Sequence, residues 1–333
     1  LKRRIRVIFG TNEERGSKCM KRYVEVGEEL PAAGFTPDAE YPIIYAEKGI
    51  LTYTLSLPFA ASGEMKLLSL EGGVAANVVM AEVKAEITDP RPECRQRIMD
   101  AAAAWKGPEG SSLSAAEDAA QHIVTLEMKG HPAHGSTPEK GINALACLAD
   151  FMNGLRLKGE QGDFFARFSK LIGFETNGAS LAVAMNDDVS GALTACVGVV
   201  KIANGRATFT LNIRYPVTKK EKEITGPLLE TFAQNGITVE SATSANPLYM
   251  PPESRLIKAL QKAYTEVTGE EAELLAIGGG TYAKTMPNVV AFGPVFPGQT
   301  YKIHEEDECW SVEDIMKNAH IMAKVLVELA ERK

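Results

Sequence analysis

Hydrophobic period changes twice along this 333-residue chain, and the two changes dictate how it must be built. From Leu51 to about Ala245 apolar residues mainly alternate with polar ones, the period of half-buried strands, with a few helices between. Ahead of that stretch, Phe35 to Ile50 carries the turn Thr36-Pro37-Asp38 and then the strand Ile43-Ile44-Tyr45. Behind it, Leu256, Ile257, Leu260, Ala263, Tyr264 and Val267 form one helical stripe that Gly269 ends. Ser311 and Asp314 then cap a last helix in which Ile315, Ala319, Met322, Ala323, Leu326 and Val327 recur with helical period. The chain therefore reads as one α/β domain, residues 1–50 and 246–333, interrupted by a large α+β domain over 51–245. Its length, beyond what one core usually fills, agrees with two lobes.

Three local expectations are sharper. Ile5-Arg6-Val7-Ile8-Phe9, ending at Gly10, predicts a buried strand. Ser136 and Glu139, with Pro138 between them, have the spacing of a capping box and predict a helix from Ser136 to about Gly154. Val197 to Tyr215 predicts a hairpin about Asn204-Gly205, with Ala207, Phe209, Leu211 and Ile213 inward and Arg214 away from the core face.

Composition excludes several functions. A net charge of −7 and scattered basic residues leave no footprint for nucleic acid. No apolar stretch has the length of a membrane span and no segment reads as a signal peptide, so the cytosol is the expected compartment. The 5 cysteines are widely spaced with no C-x-x-C pair, which predicts small buried thiols and neither disulfides nor a zinc knot.

Gly10 to Ser17 places Glu13 and Glu14 together on a turn leaving a strand's carboxyl end, where open α/β sheets put their sites. Standing alone, the pair reads as a solvated helix start. Asp38 in a second turn and His304 before the last helix add carboxylate and imidazole donors that suit zinc or manganese. Arg214 alone reads as an ion-pair residue, Asn77 as a turn former and the Gly278 to Gly280 run as a turn.

Taken together and in order, Gly10 to Ser17, Phe35 to Glu40, Gly278-Gly279-Gly280-Thr281-Tyr282-Ala283 and Ala291 through His304 resemble the PepV-type dipeptidases of the aminoacylase/carboxypeptidase-like zinc metallopeptidase clan. The resemblance implies a catalytic domain, a mixed sheet flanked by helices, interrupted by a lid. It implies Glu13 as general base and His134 as the lid histidine steadying the oxyanion, with His131 the second candidate. Glu14, Asp38 and His304 are implied as ligands of two divalent ions, zinc first and manganese or cobalt as alternatives. Asn77, Arg214, Gly279, Gly280 and Thr281 are implied to hold the substrate, a small unblocked peptide. A deacylase of N-acylated amino acids in the same clan is the alternative. The lid's length implies a monomer.

Two departures accompany the resemblance. Lys284 stands where close relatives carry arginine, and none of the 5 histidines begins a His-x-Asp motif. The chain opens on Leu1 rather than Met, so the expectation is that an upstream segment holds the missing ligands, the bridging aspartate among them, and that the chain alone is metal-poor and inactive.

Overall fold

The computed structural model describes residues 2–13, 16–299 and 306–331. The chain divides into two compact units, residues 1–48 with 246–333 and residues 49–245. Residues 1–48 carry α1 (Lys18–Glu25), β1 (Gly34–Thr36), β2 (Ala39–Glu40) and β3 (Ile43–Glu47). The second unit starts with β4 (Gly49–Pro58), β5 (Lys66–Gly72), β6 (Glu82–Thr88), α2 (Pro92–Ala104), β7 (Ser112–Asp118) and β8 (Ile123–Lys129). It continues through α3 (Ala144–Leu155), α4 (Glu160–Leu171), β9 (Asn186–Asp187), β10 (Gly191–Ala192), β11 (Thr194–Ala203), β12 (Arg206–Tyr215), α5 (Glu221–Gln234) and β13 (Thr238–Ala245). The first unit then resumes with β14 (Leu248–Tyr249), α6 (Arg255–Thr268), β15 (Leu274–Ile277), β16 (Val289–Ala291), β17 (Pro294–Val295) and α7 (Val312–Glu331).

In the first unit β3 is the organising strand: β15 runs parallel to it, while β14 and β16 pair antiparallel, and β1 runs parallel to β16. Its core joins Ile43, Leu260, Val290, Phe292 and Ile321, with the Tyr41 ring stacked on Phe296 at 4.7 Å. Parallel pairing of β3 with β15 brings their carboxyl ends to one edge, where the Lys48 N–H donates to Ile277 O at 3.0 Å.

The second unit is an eight-stranded sheet in the order β13-β4-β12-β11-β5-β6-β8-β7, every pair antiparallel. Helix α3 is buried on nearly every side, because its Ala and Cys positions let it lie at the centre of the core. Strands β11 and β5 share only the partners Val200↔Gly72 and Lys201↔Glu71, so the sheet's two halves splay apart beyond this seam. Backbone crowds the opening: a Cβ on Gly198 would stand 2.2 Å from Ala75 O, so only glycine fits there. The loop carrying Asn77 emerges at this seam.

Most sequence expectations meet their elements. The hairpin is β11–β12, with Asn204 and Gly205 at φ 52 and 71, the primed turn the strands' twist demands. Ala207, Phe209, Leu211 and Ile213 are all buried. Arg214 does lie on the opposite face, yet it too is buried. Gly269 ends α6 in the left-handed region.

Three expectations are corrected. Ile5 to Phe9 is not a strand: no described strand pairs with it, and Phe9 is 89% exposed. Apolar sequence makes a strand only where a neighbour takes its N–H and C=O groups. The helix does not open at Ser136. Ser136 instead faces His134, Pro138–Lys140 forms a single 3-10 turn, Gly141 turns extended, and α3 starts after Asn143, whose side chain accepts from the Leu145 N–H at 3.0 Å. Finally, α7 buries Asn318, Ile321, Val325 and Leu329, leaving Ile315 and Val327 exposed. The helix has two apolar stripes, and the period alone does not say which one meets the core.

All 5 cysteines are free, with Cys94, Cys147 and Cys196 buried, Cys19 partly buried and Cys309 exposed. No helix among the described residues is long and apolar enough to cross a membrane.

Candidate active site

The first unit gathers Glu13, Asp38 and the Gly278–Thr281 loop's anchors. Glu13 sits in the turn before α1, where its carbonyl accepts from Gly16 N–H at 3.1 Å. The Tyr282 hydroxyl fixes that turn, accepting from the Asn12 N–H at 3.4 Å and lying 3.2 Å from the Cys19 sulfur. Burial first, then the Cys19 hydrogen bond and the charges of Cys19 and Glu13, raise the Tyr282 pKa. Cys19, in return, is lowered by the Tyr282 hydrogen bond. Asp38 is exposed in the turn after β1.

On the other flank of the loop stands a residue that sequence reading missed. Glu47 ends β3 and is fully buried; it accepts from the Thr281 N–H at 3.1 Å and the Thr281 hydroxyl at 2.8 Å. Burial raises its pKa, the Thr281 bonds and the Lys284 charge pull it back, and Asp38 adds to the rise. The signal was present as Glu47-Lys48 closing an otherwise apolar strand. Lys284 donates to the Lys48 carbonyl, so it braces the same edge.

The second unit brings Asn77, His134 and Arg214 together. The Asn77 carbonyl accepts from Gly135 N–H at 2.7 Å, next to His134. The Ser136 N–H donates to His134 Nδ1 at 3.4 Å and the Ser136 hydroxyl lies 2.6 Å from the same atom. A nitrogen that accepts carries no proton, so the neutral ring has its N–H at Nε2. Burial of the ring, and next the Arg214 charge, lower the His134 pKa. Arg214 is 4% exposed, its Nε donates to Asn212 Oδ1 at 2.8 Å, and burial pushes it down to about 10. Cys196, buried beside it, is pushed up to about 12 and stays a thiol. His131, by contrast, pairs through its backbone with Ile142.

Glu14 and His304 lie outside the described residues. Among the described residues, no three His, Cys, Asp or Glu side chains gather as a metal site. The donor types of Glu14, Asp38 and His304 suit a divalent ion of zinc's class, and of the three Asp38 alone is among the described residues.

A model of peptidase family M20/M25/M40 matches residues 1–328. The chain belongs to that family and is a hydrolase acting on peptide bonds. The Bacillus subtilis (strain 168) protein named "Putative dipeptidase YtjP" is 33% identical over 336 residues, spanning 99% of this chain and 70% of that protein. A Staphylococcus epidermidis protein of similar designation is 29% identical over 335 residues, spanning 98% and 70%. Among solved structures, aminoacylhistidine dipeptidase from Vibrio alginolyticus matches with a TM-score of 0.52 at 14% identity, over 97% of this chain and 69% of that one, and has the same fold.

Proposed function

We propose that the protein is a metal-dependent dipeptidase of the cytosol, acting as a monomer on dipeptides with free termini. The observation that carries this reading is the burial of Arg214 beside His134. A guanidinium held at 4% exposure is costly to desolvate and gains most from a carboxylate, which its planar fork grips with two hydrogen bonds. Within the same unit Asn77 offers a side-chain amide; in the other unit Gly279 and Gly280 present backbone amides that an anion can approach closely.

In this reading Glu14, Asp38 and His304 help hold two divalent ions, zinc foremost. Such an ion, when bound, acidifies water and polarises a carbonyl. Glu13 takes the proton of the attacking water and returns it to the leaving amine. The Nε2 proton of His134 is offered to the oxyanion, and the Ser136 contacts keep the ring in that tautomer. Two adjacent glutamates divide the work, since a carboxylate bound to metal is a poor base.

The test sets an unblocked dipeptide against an N-acetyl amino acid, using the full protein supplied with zinc. Hydrolysis of the dipeptide in clear preference is expected. Preference for the N-acetyl amino acid would make the protein a deacylase, and turnover of neither would make it a binding protein. Light scattering is expected to give a monomer, and a stable dimer would overturn that part.

A further inference from the structure

The carboxylate of Glu47 has no place in the mechanism above, yet it is fully buried at the end of β3 with both oxygens engaged by one residue. Thr281 Oγ1 also accepts from the Ala283 N–H at 3.1 Å. A hydroxyl has a single proton, and here it goes to Glu47 Oε1. The Thr281 N–H goes to Glu47 Oε2. Both Thr281 donors are therefore committed inside the protein and neither is left for a ligand. Gly279 and Gly280 differ: their N–H groups donate no hydrogen bond among the described residues. A carboxylate is expensive to bury, and a threonine alone needs no such partner to end a loop.

We propose that Glu47 is a positioning residue, whose hold on both Thr281 donors sets the preceding loop so that the Gly279 and Gly280 amides meet the free carboxylate of the substrate. Thr281 then serves the site through the shape of the loop, not as a ligand. Lys284, bonded to the Lys48 carbonyl, keeps the end of β3 in place behind it. This inference rests on the dipeptide reading and deepens it.

The test compares kcat/KM for a dipeptide with a free carboxyl end and for the same dipeptide amidated there, in the full protein supplied with zinc. The ratio of the two is internal to each preparation, so a loss of folded fraction cancels. Glu47→Gln and Thr281→Val are each expected to lower the ratio about tenfold, on the scale of one well-placed hydrogen bond, chiefly by raising KM for the free carboxylate. Thr281→Ser keeps the hydroxyl and is expected to hold the wild-type ratio. A wild-type ratio retained in both Glu47→Gln and Thr281→Val overturns the inference and leaves the dipeptidase reading standing. A wild-type protein indifferent to the amide overturns both.

Discussion

At the scale of single residues, chemistry and stability rest on carboxylates in different settings. In the proposed mechanism Glu13, in a turn steadied by Tyr282, moves a proton. In the full protein Glu13→Gln keeps the shape and removes the base, so kcat should fall by roughly two to four orders of magnitude while metal content, read by elemental analysis, stays unchanged. A near-normal kcat would remove Glu13 from the mechanism. Asp89 has a structural duty. Its side chain is out of solvent and accepts from the Arg91 N–H at 3.0 Å, Nε at 2.9 Å and Nη2 at 2.7 Å, which hold its pKa below the ordinary value. A depressed carboxylate stabilises the fold fully above its unfolded pKa, near 3.9, and loses that contribution as pH falls through the folded value. Asp89→Asn should therefore lower stability by about 1–3 kcal/mol at pH 7, and the gap from wild type should be narrower at about pH 3, below the unfolded pKa. Urea midpoints at the two values would show it, and an equal gap at both would refute the linkage. Motif order singles out Glu13, Asn77, His134 and Arg214 as candidates. Glu47 was not, because a lone acid in a strand announces no partner until Thr281, 234 positions away, is folded against it.

At the scale of elements, what could be read was what neighbours in sequence decide. The turn between β11 and β12 is such a case, for Asn204-Gly205 needs positive φ whatever surrounds it. Gly205 has open space where a Cβ would go, so Gly205→Ala carries a conformational penalty alone, about 1–2 kcal/mol. Thermal or urea unfolding should report that loss, and an unchanged midpoint would mean the turn relaxes to another type. What could not be read was what distant partners decide. Ile5 to Phe9 has the composition of a strand and no described strand beside it. Ser136 has the spacing of a cap, but its hydroxyl is used by His134, and the helix waits for Asn143. The choice between the two stripes of α7 is likewise made by α6 and not by α7 itself.

At the scale of the whole molecule, the two units differ in how their sequence is laid out. Residues 49–245 are continuous, whereas β3 must meet β14, β15 and β16, which lie beyond that entire stretch. Closing so long a loop in an unfolded chain is entropically unfavourable by several kcal/mol, roughly 4–5 on a simple chain-closure estimate. The pairing of β4 with β13 changes the problem, because Ile50 and Ala245 are direct partners in that ladder. Once the eight-stranded sheet exists, the points where the chain leaves and re-enters the first unit are neighbours, and the long loop has become, in effect, a hairpin. Order of assembly follows: the continuous part first, the divided part second. The protein's 2 tryptophans fall one in each part, Trp105 half-buried against the larger core and Trp310 ahead of α7. In stopped-flow refolding, a Trp310→Phe protein should report the earlier event and a Trp105→Phe protein the later one. During synthesis the same logic means that β3 waits for β14, β15 and β16 until they leave the ribosome, so the interval in which this pairing is open to misassembly is set by the length of the insertion.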